Sequence, residues 1–209
     1  MNESHLSRQD EPQALSLRER KKRLAQAAIE EAALRLFQQQ GYEHTSIQDI
    51  ADAVTMSSRT IFRYFASKEE VLVEPVRAIL GDALRFLQRI APSESPQAAL
   101  RATLVHLAGL YQQQRTSFLI RYRVAKQARS IAAIYLYAMM ETEPALCDAL
   151  YAHLEAATDR DQIRFLVAVH MAAMRVAIEE WVEGEAQGEL VALLGGMLEA
   201  LSALTREAP

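Results

Sequence analysis

Ser57, Ser58, Arg59, Thr60, Arg63 and Tyr64 bring four hydroxyls and two guanidinium groups into eight consecutive positions. Groups of this kind hold ligands by hydrogen bonds. Hydroxyls at a helix N-terminus suit phosphate oxygens, and a guanidinium suits a base edge in a nucleic-acid groove. Lys68, in the first turn of the following helix beside free backbone N–H groups, is a natural phosphate seat. Upstream lies a basic cluster, Arg18, Arg20, Lys21, Lys22 and Arg23, opposed only by Glu19. The whole chain carries a net charge of −4 with a pI near 5.8, so affinity for a polyanion must come from this local patch on an acidic body. Catalytic chemistry has no comparable support: the chain has no glycine-rich phosphate loop, nucleophile elbow or His-Glu-x-x-His pattern, and it is read as a non-enzyme. His106, His153 and His170 lack metal-ligand spacing and Cys147 is the only cysteine, so neither a metal nor a cofactor is expected.

The elements that must position these groups are helices. Half of the 209 residues are apolar, with only 7 glycines and 6 prolines. Residues 1–15 are polar and read as a disordered tail without a signal region. Ser16 and Glu19 form a capping box for a first helix with Ala25, Ile29, Ala33, Leu36 and Phe37 at helical spacing, which Gly41 ends as a left-handed cap. Thr45 or Ser46 caps a second helix with inner face Ile47, Ile50, Ala51 and Val54. Ser57 starts a third with Ile61 and Phe65 inward, and Ser67 with Glu70 boxes a fourth. Two short helices across a tight turn, the second polar and basic, describe a helix-turn-helix that offers a recognition helix to a DNA major groove. Further helices are expected near 67–90, 96–113, 115–127, 129–157, 160–184 and 188–205, with kinks or breaks at Pro75 and Pro144. No strand pattern competes, and no apolar run reaches the roughly 20 residues of a membrane span. The expected molecule is all-α and cytoplasmic: a tail at 1–15, a three-helix helix-turn-helix domain at 16–66, and a larger helical domain at 67–209, to which the family resemblance that follows assigns effector binding and dimerisation.

At these residues the chain resembles the TetR family of transcriptional regulators. The resemblance runs through Ala27–Phe37, Gly41-Tyr42, Thr45-Ser46-Ile47, Ile50-Ala51 and Ser57 to Lys68. It implies that Thr45, Ser57, Tyr64 and Lys68 hold phosphates while Ser58, Arg59, Thr60 and Arg63 face the groove, with Arg20, Lys21 and Lys22 as a basic arm. The family's turn usually has glycine where this chain has Thr55. A positive φ there would cost a β-branched residue about 1–2 kcal/mol.

One short recognition helix gains specificity by doubling, with half-sites about 34–36 Å apart. Two stripes could supply the dimer contact: Ile163, Val167, His170, Met174, Ala177 and Trp181, then Leu190, Leu194, Met197, Leu201 and Leu204. Either stripe also suits a subunit's own core, and the resemblance favours the interface. The second face of the same helix, Phe165, Val169, Ala172 and Val176, is then expected to turn toward the subunit's interior. Gly195-Gly196 could permit close backbone approach. The resemblance places an effector pocket inside that interior, with His106, Leu110, Phe118, Tyr122, Tyr135, Met139, Met171 and Met174 as lining, although each also suits a filled core. Arg121 and Arg123 are expected at the solvated surface, with an anionic head group as the alternative use, and Arg175 is expected to pair with Glu179. The expected function is a homodimeric, ligand-responsive regulator that binds double-stranded operator DNA. It would act as a repressor released by a small hydrophobic effector, with long acyl compounds the first choice. The competing readings are an activator, a ligand-independent regulator, and a helical carrier of hydrophobic molecules.

Overall fold

Helix starts in this protein are set by serine side chains that accept backbone N–H groups lacking a carbonyl partner. In the computed structural model, residues 16–91, 94–153 and 159–206 are described, with side chains other than those of 129–130, 134–140, 153 and 204–206. The expected tail at 1–15 lies outside them. Helix α1 (Leu17–Gln40) opens on Ser16, whose Oγ accepts from the Glu19 N–H at 3.2 Å while the Glu19 carboxylate accepts from the Ser16 N–H at 3.0 Å. It ends at Gly41, whose N–H donates to the Phe37 carbonyl; φ 86° and ψ 156° there lie outside the left-handed helical well, in territory open to glycine.

Helix α2 (Ile47–Ala53) has the same reciprocal box between Ser46 and Asp49, which makes Ser46 the cap and leaves Thr45 outside it. Hydrogen bonds from the Ser46 N–H and hydroxyl hold the Asp49 carboxyl below its ordinary pKa. Helix α3 (Ser58–Phe62) starts at Ser57, whose Oγ accepts from the Thr60 N–H at 3.1 Å. Helix α4 (Lys68–Leu87) starts at Ser67, whose Oγ accepts from the Glu70 N–H. The Glu70 carboxylate pairs with Arg77 at 2.9 Å, so the expected box has a different partner for its acid.

The turn between α2 and α3 does require a positive φ, and Thr55 supplies it at 55°. Its N–H donates to the Asp52 carbonyl and the Met56 N–H to the Ala51 carbonyl, so the turn closes around a strained β-branched residue. Thr55→Gly relieves about 1–2 kcal/mol of steric cost and adds about 0.5–1 kcal/mol of unfolded-chain entropy. A net gain of up to about 1 kcal/mol is expected, read as a higher denaturant midpoint with an unchanged m-value.

The remaining helices are α5 (Pro96–Gln113), α6 (Arg115–Gln127), α7 (Arg129–His153), α8 (Arg160–Glu183) and α9 (Leu190–Arg206); among the described residues there is no strand. Two apolar cores hold the chain. One joins Ile29, Phe37, Ile50, Ile61 and Phe65 to Val71, Leu72 and Val73 of α4 and to Val124, Ala128 and Ile131 at the α6–α7 junction. The other joins Ile79, Ala83 and Leu87 of α4 to α5, α7, α8 and α9. The division between cores therefore falls inside α4, around Pro75, rather than at its start. α4 and α7 run through Pro75 and Pro144 without a break. Fully buried Leu146 and Leu150, beyond Pro144, supply packing that offsets the roughly 3 kcal/mol a mid-helix proline costs.

The α8–α9 turn is built on two left-handed residues, Glu185 and Ala186, at φ 55° and 52°, whereas neighbouring Gly184 has ordinary φ −79°. The Trp181 indole N–H donates to the Gly188 carbonyl at 2.8 Å and fixes the turn against the core. No described helix is long and apolar enough to cross a membrane.

Candidate nucleic-acid interface

Buried Ile61 and Phe65 fix the roll of α3, leaving Arg59 and Arg63 exposed. The Ser57 and Thr60 hydroxyls lie 2.8 Å apart and cap the helix together. Ser58 Oγ donates to Gln48 Oε1 at 2.6 Å, bracing α3 on α2. Arg63 crosses the Tyr64 ring, its guanidinium carbon 5.3 Å from the ring centre, with an N–H directed at the phenol oxygen at 3.4 Å. Arg59 and Arg63 are exposed and Tyr64 is half-buried, with the hydroxyls of Ser57, Ser58 and Thr60 partly engaged in local bonds. Phe62 was not among the expected contacts, yet its ring is 54% exposed in the middle of this polar surface.

Arg63 and Tyr64 share a cleft of about 1040 Å³ with Ser16, Leu17, Arg18, Glu19, Lys21 and Lys22 at the start of α1. Four cations face one carboxylate there, and hydrogen bonds from Ser16 hold that carboxyl, Glu19, below its ordinary pKa. The basic arm is therefore a helical turn set beside the recognition helix, with Lys21 and Lys22 in the cleft. Arg20 is exposed on α1 but does not line it.

Two expected phosphate ligands are turned inward. Thr45 is 1% exposed; its hydroxyl donates to the Gly41 carbonyl at 2.8 Å and accepts from Gln40 at 3.3 Å. Lys68 donates from Nζ to the Tyr42 and Thr45 carbonyls at 2.7 and 2.9 Å and lies 4.0 Å from the Tyr42 ring centre. The same Tyr42 donates to Glu69 at 2.6 Å. Burial, with that bond and the charge of Glu69, pushes the phenol far above its ordinary pKa. In this chain Thr45 and Lys68 brace the α1–α2 loop against α4. Two of the three Lys68 ammonium N–H groups are taken by these carbonyls, and the side chain is half-buried.

Several of the expected pocket residues are packed against neighbouring side chains. His106 is 2.9 Å from Asp82 through Nε2 and stacks on Phe86 at 4.3 Å, so it ties α5 to α4 rather than lining a cavity. Phe118 sits among Tyr111, Tyr122 and Trp181, with ring centres 4.9, 6.3 and 5.5 Å away. Met174 is 2% exposed in the core and Met171 packs against it. Tyr135 and Met139 lie outside the described side chains. Leu110 lines a groove of about 460 Å³ running from α1 (Arg23, Glu30) across Pro75 and Asp82 of α4 to α5.

Arg121 departs furthest from expectation. It is 3% exposed and forms an ion pair with Glu30, which binds α6 to α1. Arg123, about half a turn on, remains near the surface and pairs with Glu185 of the α8–α9 turn. Arg175 pairs with Glu179 at 2.9 Å, as its spacing required.

The two faces of α8 are exchanged relative to the sequence expectation. Ile163, Val167, His170, Met174, Ala177 and Trp181 are all 3% exposed or less, buried in the subunit's own core, as are Leu190 and Leu194 of α9. Burial pushes the pKa of His170 down, and its Nδ1 lies 2.9 Å from the Leu166 carbonyl. Met197 and Leu201 are half-buried on the flank. The outward face is the other one: Phe165 is 73% and Val176 42% exposed, with exposed Ala172 and half-buried Val169 between them. Exposed Ala192, Gly196 and Ala203 continue it on α9, and a Cβ built on Gly195 or Gly196 meets nothing within 4 Å. A cavity of about 720 Å³ opens beside it, lined by Phe165, Val169, His170, Leu201 and Pro96 among others.

Comparison with known proteins agrees with this architecture. The sequence profile described as "Bacterial regulatory proteins, tetR family" matches residues 29–74. The "HTH-type transcriptional regulator TcmR" of Streptomyces glaucescens is 34% identical over 203 residues, spanning 94% of this chain and 89% of that protein. Among solved structures, a putative TetR-family transcriptional regulator from Syntrophomonas wolfei superposes with a TM-score of 0.66 at 17% identity, covering 91% of this chain and 98% of that one. The transcriptional regulator FadR from Bacillus subtilis, in complex with stearoyl-CoA, superposes with a TM-score of 0.56 at 18% identity, covering 84% and 96%. With its profile on the helix-turn-helix and its near full-length relative, the chain belongs to the TetR family of DNA-binding transcriptional regulators.

Proposed function

We propose that two copies of this chain pair through the outer faces of α8 and α9 and that the dimer represses transcription from a pseudo-palindromic operator. The observation that carries the pairing is the apolar stripe from Phe165 to Val176, whose two ends no described residue covers. Exposed Arg164, Arg175, Gln162 and Glu180 border it, giving an apolar centre and a polar rim. Residues with small side chains on α9 let a second pair of helices come close, and a two-fold axis would place the recognition helices on successive major-groove faces.

DNA reading is assigned to Arg59 and Arg63 at base edges, and to Ser57, Ser58, Thr60, Tyr64, Lys21 and Lys22 for the phosphates and the helix's seat on them, with exposed Arg20 adding charge nearby. Selection of bound duplexes from random DNA tests this. Lys21→Ala with Lys22→Ala is expected to flatten the slope of log K against log salt by about 4, since the dimer carries both lysines twice and each phosphate neutralised contributes about 0.9, without changing the selected sequence. Arg59→Ala is expected to cost about 1–3 kcal/mol and relax the preference at its own base pair. A selection that yields no preferred sequence overturns the assignment.

We assign release from DNA to a small apolar effector acting where the cores meet. α4 contributes to both cores on either side of Pro75, and Glu30, the partner of Arg121, lines the groove at Pro75. A ligand held in the groove that Leu110 lines beside Pro75 moves the DNA equilibrium only through its differential affinity for two arrangements of the helices there. Long acyl-CoA, the ligand held by the Bacillus FadR, is the first class to titrate into an operator-shift assay. Absence of any effect across apolar ligand classes would make the protein a constitutive regulator.

A further inference from the structure

We infer that Phe62 reads the 5-methyl group of a thymine in each operator half-site. The inference deepens the base-reading assignment above and rests on α3 being the helix that enters the groove. Phe62 is the last residue of α3 and is 54% exposed, whereas its neighbours Ile61 and Phe65 are 0% and 2% exposed. Helical spacing sets it one turn beyond Ser58 and Arg59, on the flank where Ser58 is braced by Gln48 of α2. The ring therefore lies beside a guanidinium on the surface offered to DNA, while Ile61 next to it occupies the core side of the helix.

The chemistry of the major groove then names the ligand. Its base edges are donors and acceptors, with one apolar group, the thymine methyl, and apolar side chains discriminate by contact with it. A phenyl ring in that position gains by covering the methyl and has nothing to offer a cytosine amino group or a purine edge. Tyr64 carries a hydroxyl for a phosphate, whereas Phe62 has no polar atom at all, which separates their roles.

The test replaces each thymine of the selected operator, one position at a time, with deoxyuridine, which removes the methyl and leaves the pairing intact. Burial of one methyl predicts a loss of about fourfold per half-site, and more than tenfold when both half-sites are changed. Phe62→Ala should bind the methylated and unmethylated operators alike, and Phe62→Leu should restore the discrimination. Arg59→Ala should keep it while losing preference elsewhere. Thymines that are all insensitive to demethylation, or a Phe62→Ala protein as sensitive as the parent, overturn the inference while leaving base reading by arginine intact. A selection that returns no operator overturns the base-reading assignment and this inference with it.

Discussion

Phe165→Asp combined with Val176→Asp is expected to yield a folded monomer that has lost at least about 100-fold in operator affinity. Both side chains are exposed, at 73% and 42%, so a carboxylate at either position stays hydrated in the isolated subunit and costs its fold little. In the paired form each substitution appears twice, because a two-fold contact uses the same patch on both partners. Four carboxylates would then be desolvated without partners, at several kcal/mol each. Loss of the second half-site removes the avidity of a linked pair, which is worth about 10²–10⁴. Sedimentation equilibrium at micromolar concentration gives the assembly state, circular dichroism the fold, and an operator-shift assay the affinity. A double variant that stays dimeric places the contact on another face.

Arg121→Met is expected to destabilise the protein by about 3 kcal/mol, and Arg121→Met with Glu30→Met to recover most of that loss. The guanidinium is 3% exposed and its carboxylate partner 22%, so the pair is shielded from water. Deleting one member leaves the other charge with its desolvation cost and without its principal counter-ion, a loss of about 3–5 kcal/mol in buried pairs. The lower figure applies because Glu30 keeps some contact with solvent. Replacing both members with apolar side chains of similar volume removes the uncompensated charge, and such exchanges are often neutral. Denaturant midpoints at constant m-value measure both effects. Equal destabilisation by the single and double variants would mean that packing around Arg121, rather than its charge, holds α6 on α1. Glu30 also lines the groove beside Pro75 proposed to carry the effector signal. The double variant should therefore bind operator and respond more weakly to ligand.

How much of this was legible beforehand depended on the range of the interaction. Ser16 with Glu19, Ser46 with Asp49, Ser57 with Thr60 and Ser95 with Ala98 all close within three residues, so the helix starts could be read directly from the chain. Arg175 with Glu179 closes within four. The turn at Thr55 was legible for the same reason: its need for a positive φ is local, and only the choice between strain and rearrangement waited for the structure.

Contacts between distant segments followed no such rule. Periodicity showed that α8 has two apolar faces and could not assign them, because Phe165 and Ile163 are equally apolar and which one meets α5 and α9 is decided by the packing of separate helices. Arg121 reads as a surface residue until Glu30, ninety-one positions earlier, is brought beside it by the fold. Thr45 and Lys68 carry phosphate-binding chemistry in their side chains, and tertiary structure spends it on the loop at Gly41–Thr45. The sequence by itself determined where helices begin, that two of them form a DNA-reading pair, and which family they belong to, since short-range hydrogen bonds and turn geometry carry that information. Only the tertiary structure decided which faces are hidden and which cations stay free for DNA, because burial is a property of what the rest of the chain places alongside.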